Sequence, residues 1–197
     1  MSASELVRWG ALGALLAAIA WTVSGIIAFV LVQPPASNMG PTGSLSWYLI
    51  VSNDAIAEVG MMVAVVGLHA RQTPNYGWLG TAGSIVAFVG TALMFLSTVL
   101  WLLTHNGNGV VGLLQFGGLL GVLVGFPILG VATLRVGVLP RWCGLLLVGW
   151  LVYFPLIVFS LDSYGEARVL FGLVFLALGY VLWSQKNSEV QRSSRVR

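Results

Sequence analysis

Six apolar stretches, separated by short polar or turn-rich breaks, constrain this chain more than any other feature: Trp9–Val32, Trp47–Ala70, Trp78–Leu103, Val110–Leu134, Trp142–Leu161 and Ala167–Ser184. A helix of about 20 apolar residues crosses the hydrocarbon of a bilayer, where every backbone N–H and C=O needs an internal partner that a helix supplies. Charged residues make up 8% of the chain and hydrophobic ones 58%, whereas a soluble domain carries about 25% charged residues. The expected fold class is all-α, a polytopic membrane protein built as a bundle of six transmembrane helices over residues 1–184. Residues 185–197 read as a basic, disordered tail. The first stretch is too long, and too poorly followed by a small-residue cleavage site, to read as a removable signal peptide.

Basic residues near helix ends are retained on the cytoplasmic side. Arg8, Arg71, Arg135, Arg141, Lys186, Arg192, Arg195 and Arg197 all fall on one side of the six-helix arrangement, which makes both termini cytoplasmic. Arg168 alone is left opposite, in "LDSYGEAR", beside Asp162 and Glu166. A net charge of +3 follows from this bias and calls for no nucleic-acid partner. The tail "QKNSEVQRSSRVR" suits contact with anionic membrane lipid.

Soluble cofactor chemistry finds little to build on. Cys143 is the single cysteine, and His69 and His105 fall at opposite membrane faces, so no metal site is expected. Motifs for nucleotide phosphates, haem attachment or a hydrolytic triad are lacking, and no cofactor is expected. The longest loop, "QPPASNMGPTGSLS", reads as a connector on the outer side. At the two cytoplasmic turns, "RQTPNYGWLG" and "RVGVLPRWCG" both read R-x6-W-x-G, which suggests that hairpins 2–3 and 4–5 are related by duplication.

The second stretch carries the chemistry. In "WYLIVSNDAIAEVGMM", Asn53, Asp54 and Glu58 stand within a membrane-spanning run. At 100° per residue Trp47, Val51, Asp54, Glu58, Met61, Val65 and His69 share one helical stripe. Glu58 lies about 16 Å into the helix from Trp47, near the midplane, with Asp54 one turn closer to the outer face. An acid facing lipid at that depth costs at least about 2.5–3.5 kcal/mol, so both carboxyls are expected to face the bundle interior. Every basic residue maps to a helix end. With no cation in the membrane to neutralise them, at least one acid is expected to hold or share a proton. As polar glue, the acids would bond Ser52, Asn53, Gln115 or Tyr153.

Candidate binding residues around these acids are Trp47, Asn53, Trp21, Phe95, Trp101, Gln115, Phe116, Trp150, Tyr153 and Phe171, with Phe159 and Phe175 nearby. Aromatic faces stabilise cations by about 2 kcal/mol or more when desolvated. A neutral carboxylic acid in a dry aromatic pocket suits protonation of an alkene or epoxide and cyclisation of the resulting carbocation. In that scheme Glu58 and Asp54 are catalytic, with Glu58 the donor, and the partner is an apolar isoprenoid or lipid-like small molecule.

Helix 4 reads "GLLQFGGLLGVLVGFPILG", with Gly117, Gly121 and Gly125 on one face. Such a face lets a neighbouring backbone approach, either within the bundle or in a homodimer. Pro127 and Pro155 are expected to kink helices 4 and 5.

The size, the helix count and the acids of helix 2 resemble the small bacterial membrane-bound terpene cyclases that act on prenylated indoles. That resemblance implies an isomerase-type carbocation cyclisation in the bacterial cytoplasmic (inner) membrane. The stretches "GLHARQTPNYGWLGTAGSIVAFVGTAL" and "GVLPRWCGLLLVG" resemble uncharacterised actinobacterial multi-pass membrane proteins, which carry no known activity. Two other classes compete. A proton-coupled transporter or channel would use Asp54 and Glu58 as a relay continued by His69, and a lipid-binding or scaffold protein would use them only as glue.

Overall fold

A computed structural model describes residues 2–31, 41–73, 77–152 and 164–195, with backbone alone for 164–165 and 185–195. It has six helices and no strand among the described residues: α1 (Ala3–Leu31), α2 (Leu45–Gln72), α3 (Gly77–Thr104), α4 (Val110–Val136), α5 (Arg141–Val148) and α6 (Tyr164–Arg195). α1 to α4, and Glu166–Ser184 of α6, are long and apolar enough to cross a membrane. The chain is a multi-pass membrane protein. The fifth apolar stretch appears as the helical run Arg141–Val152, and residues 153–161 of it lie outside the described residues, as does Pro155. The last helix continues through the segment expected to be a disordered tail, as far as Arg195.

Local chemistry sets several of the boundaries. Ser44 precedes α2 with extended backbone and accepts a hydrogen bond from the Trp47 backbone N–H at 3.2 Å, satisfying one otherwise unpaired donor of the first turn. α4 ends at Gly137, whose φ of 65° lies in the left-handed region where a side chain is strained. Pro127 stands inside α4, which continues through it. Buried Ser84, Thr91 and Thr133 donate to carbonyls one turn back in their own helices, so these hydroxyls enter the interior without needing a neighbour.

The helices follow one another around a ring in the order α6, α1, α2, α3, α4, α5, closed by a lighter contact between α5 and α6. α1 packs extensively on α2 and α6, and α3 on α4. In hydrocarbon, close backbone approach replaces hydrophobic burial as the reason helices associate. α1 supplies Ala11, Ala14, Ala17 and Ala18 to the core, and Gly10 meets Gly67 of α2 backbone to backbone. The glycine face of α4, expected to pack within the bundle or in a homodimer, is largely used inside the chain. Gly121 lies against Gly90 and Gly125 against Ala87 of α3, while Gly117 has open space. The outer surface presents Ile19, Phe29, Ile85, Leu113 and Leu173, a composition suited to acyl chains.

Candidate functional site

Toward the end of the bundle that carries the α3 to α4 turn, α2, α3, α4 and α6, with Trp21 of α1 and Trp150, line a half-open cavity of about 490 Å³. Its depth is marked by Gly107 in that turn and by Met61 and Val122 farther along the helices. Asp54 and Glu58 line it from adjacent turns of α2, and both are buried. The helical stripe read from the sequence therefore does turn its acids inward, and its apolar members Val51 and Met61 line the same space.

The polar partners differ from those expected. Arg168, in the second turn of α6, is 5% exposed and pairs with Asp54. Its Nη2 lies 2.9 Å from Asp54 Oδ2 and its Nε donates to Oδ1 at 3.3 Å, a two-point contact. Ser24 of α1 donates to the same Oδ1 at 2.5 Å. The expectation that no basic residue neutralises the acids is thus corrected, because α6 begins at Tyr164 and leans Arg168 into the bundle. Taking a guanidinium into this interior costs several kcal/mol unless a carboxylate accompanies it. Burial and pairing therefore come together.

Glu58 is differently placed. Thr98 of α3 donates to its Oε1 at 3.1 Å, while its Oε2 is buried with no hydrogen-bond partner among the described residues. Two carboxyls one turn apart in sequence thus have distinct surroundings. Asp54 is held by a guanidinium and a hydroxyl, and Glu58 by one hydroxyl.

One wall of the cavity is aromatic. Phe126 of α4 stacks on Trp150 at 5.2 Å between ring centres, Trp150 stacks on Phe171 of α6 at 4.5 Å, and Phe171 meets the edge of Trp21 of α1 at 5.7 Å. The column ties four segments of the ring together. Aromatic pairs in these geometries contribute about 0.5–1.5 kcal/mol each beyond area burial. Trp21 Nε1 donates to Met61 Sδ at 3.3 Å, whereas Trp150 Nε1 is buried with no partner among the described residues.

Of the candidate binding residues, Trp21, Trp101, Gln115, Phe116, Trp150 and Phe171 line the cavity. Trp47, Asn53 and Phe95 do not. Trp47 packs edge-on against Trp101 at 5.6 Å, behind the lining, beside a Tyr48 hydroxyl that bonds His105 Nε2 at 2.7 Å. Asn53 donates to Leu49 O of its own helix at 2.8 Å, so it serves neither acid. Tyr153 and Phe159 lie outside the described residues. Arg168, Ser24 and Thr98 are the polar residues that sequence reasoning missed. Arg168 did leave a signal: it was the one basic residue out of step with the other eight, and an acid within the membrane is a reason for a cation to stand there.

No family model matches the chain, and comparison with curated proteins and with solved structures finds no match.

Proposed function

We propose that this protein is an integral membrane cyclase that protonates an alkene or epoxide of an apolar isoprenoid substrate with the Glu58 carboxyl and holds the resulting carbocation against the aromatic wall. The supporting observation is the pairing of unlike acids in one cavity: Asp54 is neutralised by Arg168, while one Glu58 carboxyl oxygen has no hydrogen-bond partner among the described residues, in a cavity also lined by Trp21, Trp150 and Phe171. Glu58 transfers its O–H proton to an alkene carbon, or to an epoxide oxygen whose C–O bond then opens to a hydroxyl and a carbocation, and becomes a carboxylate. The π electrons of a second double bond close the ring on the cation, and loss of a proton from a neighbouring carbon returns it to Glu58. The sequence is redox-neutral and isomerises its substrate. Arg168 and Asp54 contribute a neutral pair that fixes α6 against α2, and Thr98 orients the carboxyl.

In this reading six helices cross a bacterial cytoplasmic membrane with both termini inside, and the cavity lies in the outer half, within lateral reach of a substrate dissolved in lipid. The aromatic wall is worth about 2 kcal/mol or more to a desolvated cation. The relay required by a transporter has less support. Beyond Glu58 toward His69, the buried positions of α2 are Gly60, Met61, Ala64, Val65, Gly67 and Leu68, none with a polar side chain. The test is conversion of prenylated indoles or linear terpenoids by membranes containing the wild type or Glu58→Gln, with a cyclised isomer expected from the wild type alone. Unchanged substrate from the wild type across such a panel overturns the proposal.

A further inference from the structure

Among the described residues, the ionisable side chains lining the cavity are Asp54, Glu58 and Arg168. With Arg168 carrying one positive charge and Asp54 one negative, the sum is zero when Glu58 is protonated and minus one when it is ionised. It never becomes positive. An anionic ligand such as a phosphate or carboxylate would meet only a guanidinium already engaged in two contacts with Asp54. A neutral or cationic ligand meets a carboxyl oxygen with no partner among the described residues and the rings of Trp21, Trp150 and Phe171.

We infer that the cavity is a binding site for lipophilic amines, with the nitrogen at Glu58 Oε2 and the chain lying toward Val111 and Phe116 of α4. The inference stands on the cavity alone and needs no turnover. The amine enters from the bilayer as its free base, since an ammonium is costly in hydrocarbon. Its lone pair accepts the Glu58 proton, the O–H bond breaks as the N–H bond forms, and an ammonium and a carboxylate remain in contact. The new N–H occupies the vacant Oε2, and the flanking rings stabilise the charge. Lone-pair basicity is therefore what the site selects, ahead of chain length or shape.

The probe pair is N,N-dimethylfarnesylamine and its carbon isostere, in which a C–H replaces the nitrogen. Binding of each to the full-length protein in lipid nanodiscs is measured by displacement of the tritiated amine. The amine is expected to bind at least about tenfold more tightly than the isostere, the scale of a desolvated cation–aromatic contact. Glu58→Gln should abolish that preference by weakening the amine to the level of the isostere, and Trp21→Leu should reduce it. Size-exclusion profiles that match the wild type report that the variants have folded. Equal binding of the two probes by the wild type, or an amine preference that survives Glu58→Gln, overturns the inference. Amine selectivity without cyclisation of any terpenoid would instead defeat the proposed function and leave the amine site standing. Cyclisation without amine selectivity would do the reverse.

Discussion

Asp54 and Arg168 stand 114 positions apart in the chain and meet inside the bundle at 2.9 Å, joining α2 and α6 through a charge pair that each needs in order to be buried. The pair is also what makes Asp54 and Glu58 chemically different. One carboxyl is committed to a structural contact, which leaves the other as the candidate for proton transfer.

Removing one partner of this pair strands a charge in a low-dielectric interior. Arg168→Gln is expected to destabilise the protein by about 3–5 kcal/mol, the usual cost of breaking a buried pair from one side. The double variant Asp54→Asn with Arg168→Gln should recover a large part of that loss. Thermal unfolding of the wild type, both single variants and the double variant in one detergent measures both effects, and purely additive losses would show that the two residues are not coupled.

Glu58→Gln retains shape and accepts the Thr98 hydroxyl as before, but it has no proton to transfer. Turnover of a cyclisable terpenoid is expected to fall by about 10²–10⁴-fold, the range for general acid catalysis. The elution profile on size exclusion should match that of the wild type. A variant that turns over like the wild type would remove Glu58 from the chemistry.

Thr98→Val tests the orienting hydroxyl separately. A single neutral hydrogen bond contributes about 0.5–1.5 kcal/mol, so the rate is expected to drop a few-fold, to about tenfold at most, with KM little changed. A loss as large as that of Glu58→Gln would mean that Thr98 does more than orient the carboxyl.

The crossing of α1 and α2 depends on Gly10 and Gly67, whose backbones are in contact. Gly67→Ile places a branched side chain where the Gly10 backbone already lies. Overpacking costs typically about 1–3 kcal/mol, and backbone yields less readily than a side chain, so this variant should fall at the upper end. Gly117→Ile, which meets open space, is the control and should unfold close to the wild-type temperature.

Topology is checked by cysteine labelling with a membrane-impermeant thiol reagent, against a background in which Cys143 is buried. Asn106→Cys in the α3 to α4 turn should react in intact cells. Thr73→Cys, just after α2, should react only after permeabilisation. Reaction of both from one side would contradict the proposed topology.

Two kinds of information in this chain are local, and both were legible before any folding was considered. The length of each apolar stretch follows from bilayer thickness, which is why four stretches reappear as α1 to α4 and a fifth as the apolar part of α6. The inward aim of Asp54 and Glu58 follows from helical periodicity, because the two acids share one stripe of α2 with Val51, Met61 and Val65, all of them buried. What those acids touch is not local. Ser24, Thr98 and Arg168 come from three other helices, and their arrival depends on how closely small residues such as Gly10 and Gly67 let backbones approach. Periodicity likewise put Trp47 on the stripe of the acids, yet the ring of Trp101 stands between it and the cavity. Gly121 and Gly125 were readable as a packing face, but only the placement of α3 decided that their neighbour is within the chain. A helix periodicity specifies a direction, whereas a partner requires that two directions from distant parts of the chain converge. Convergence is set by the packing of whole helices.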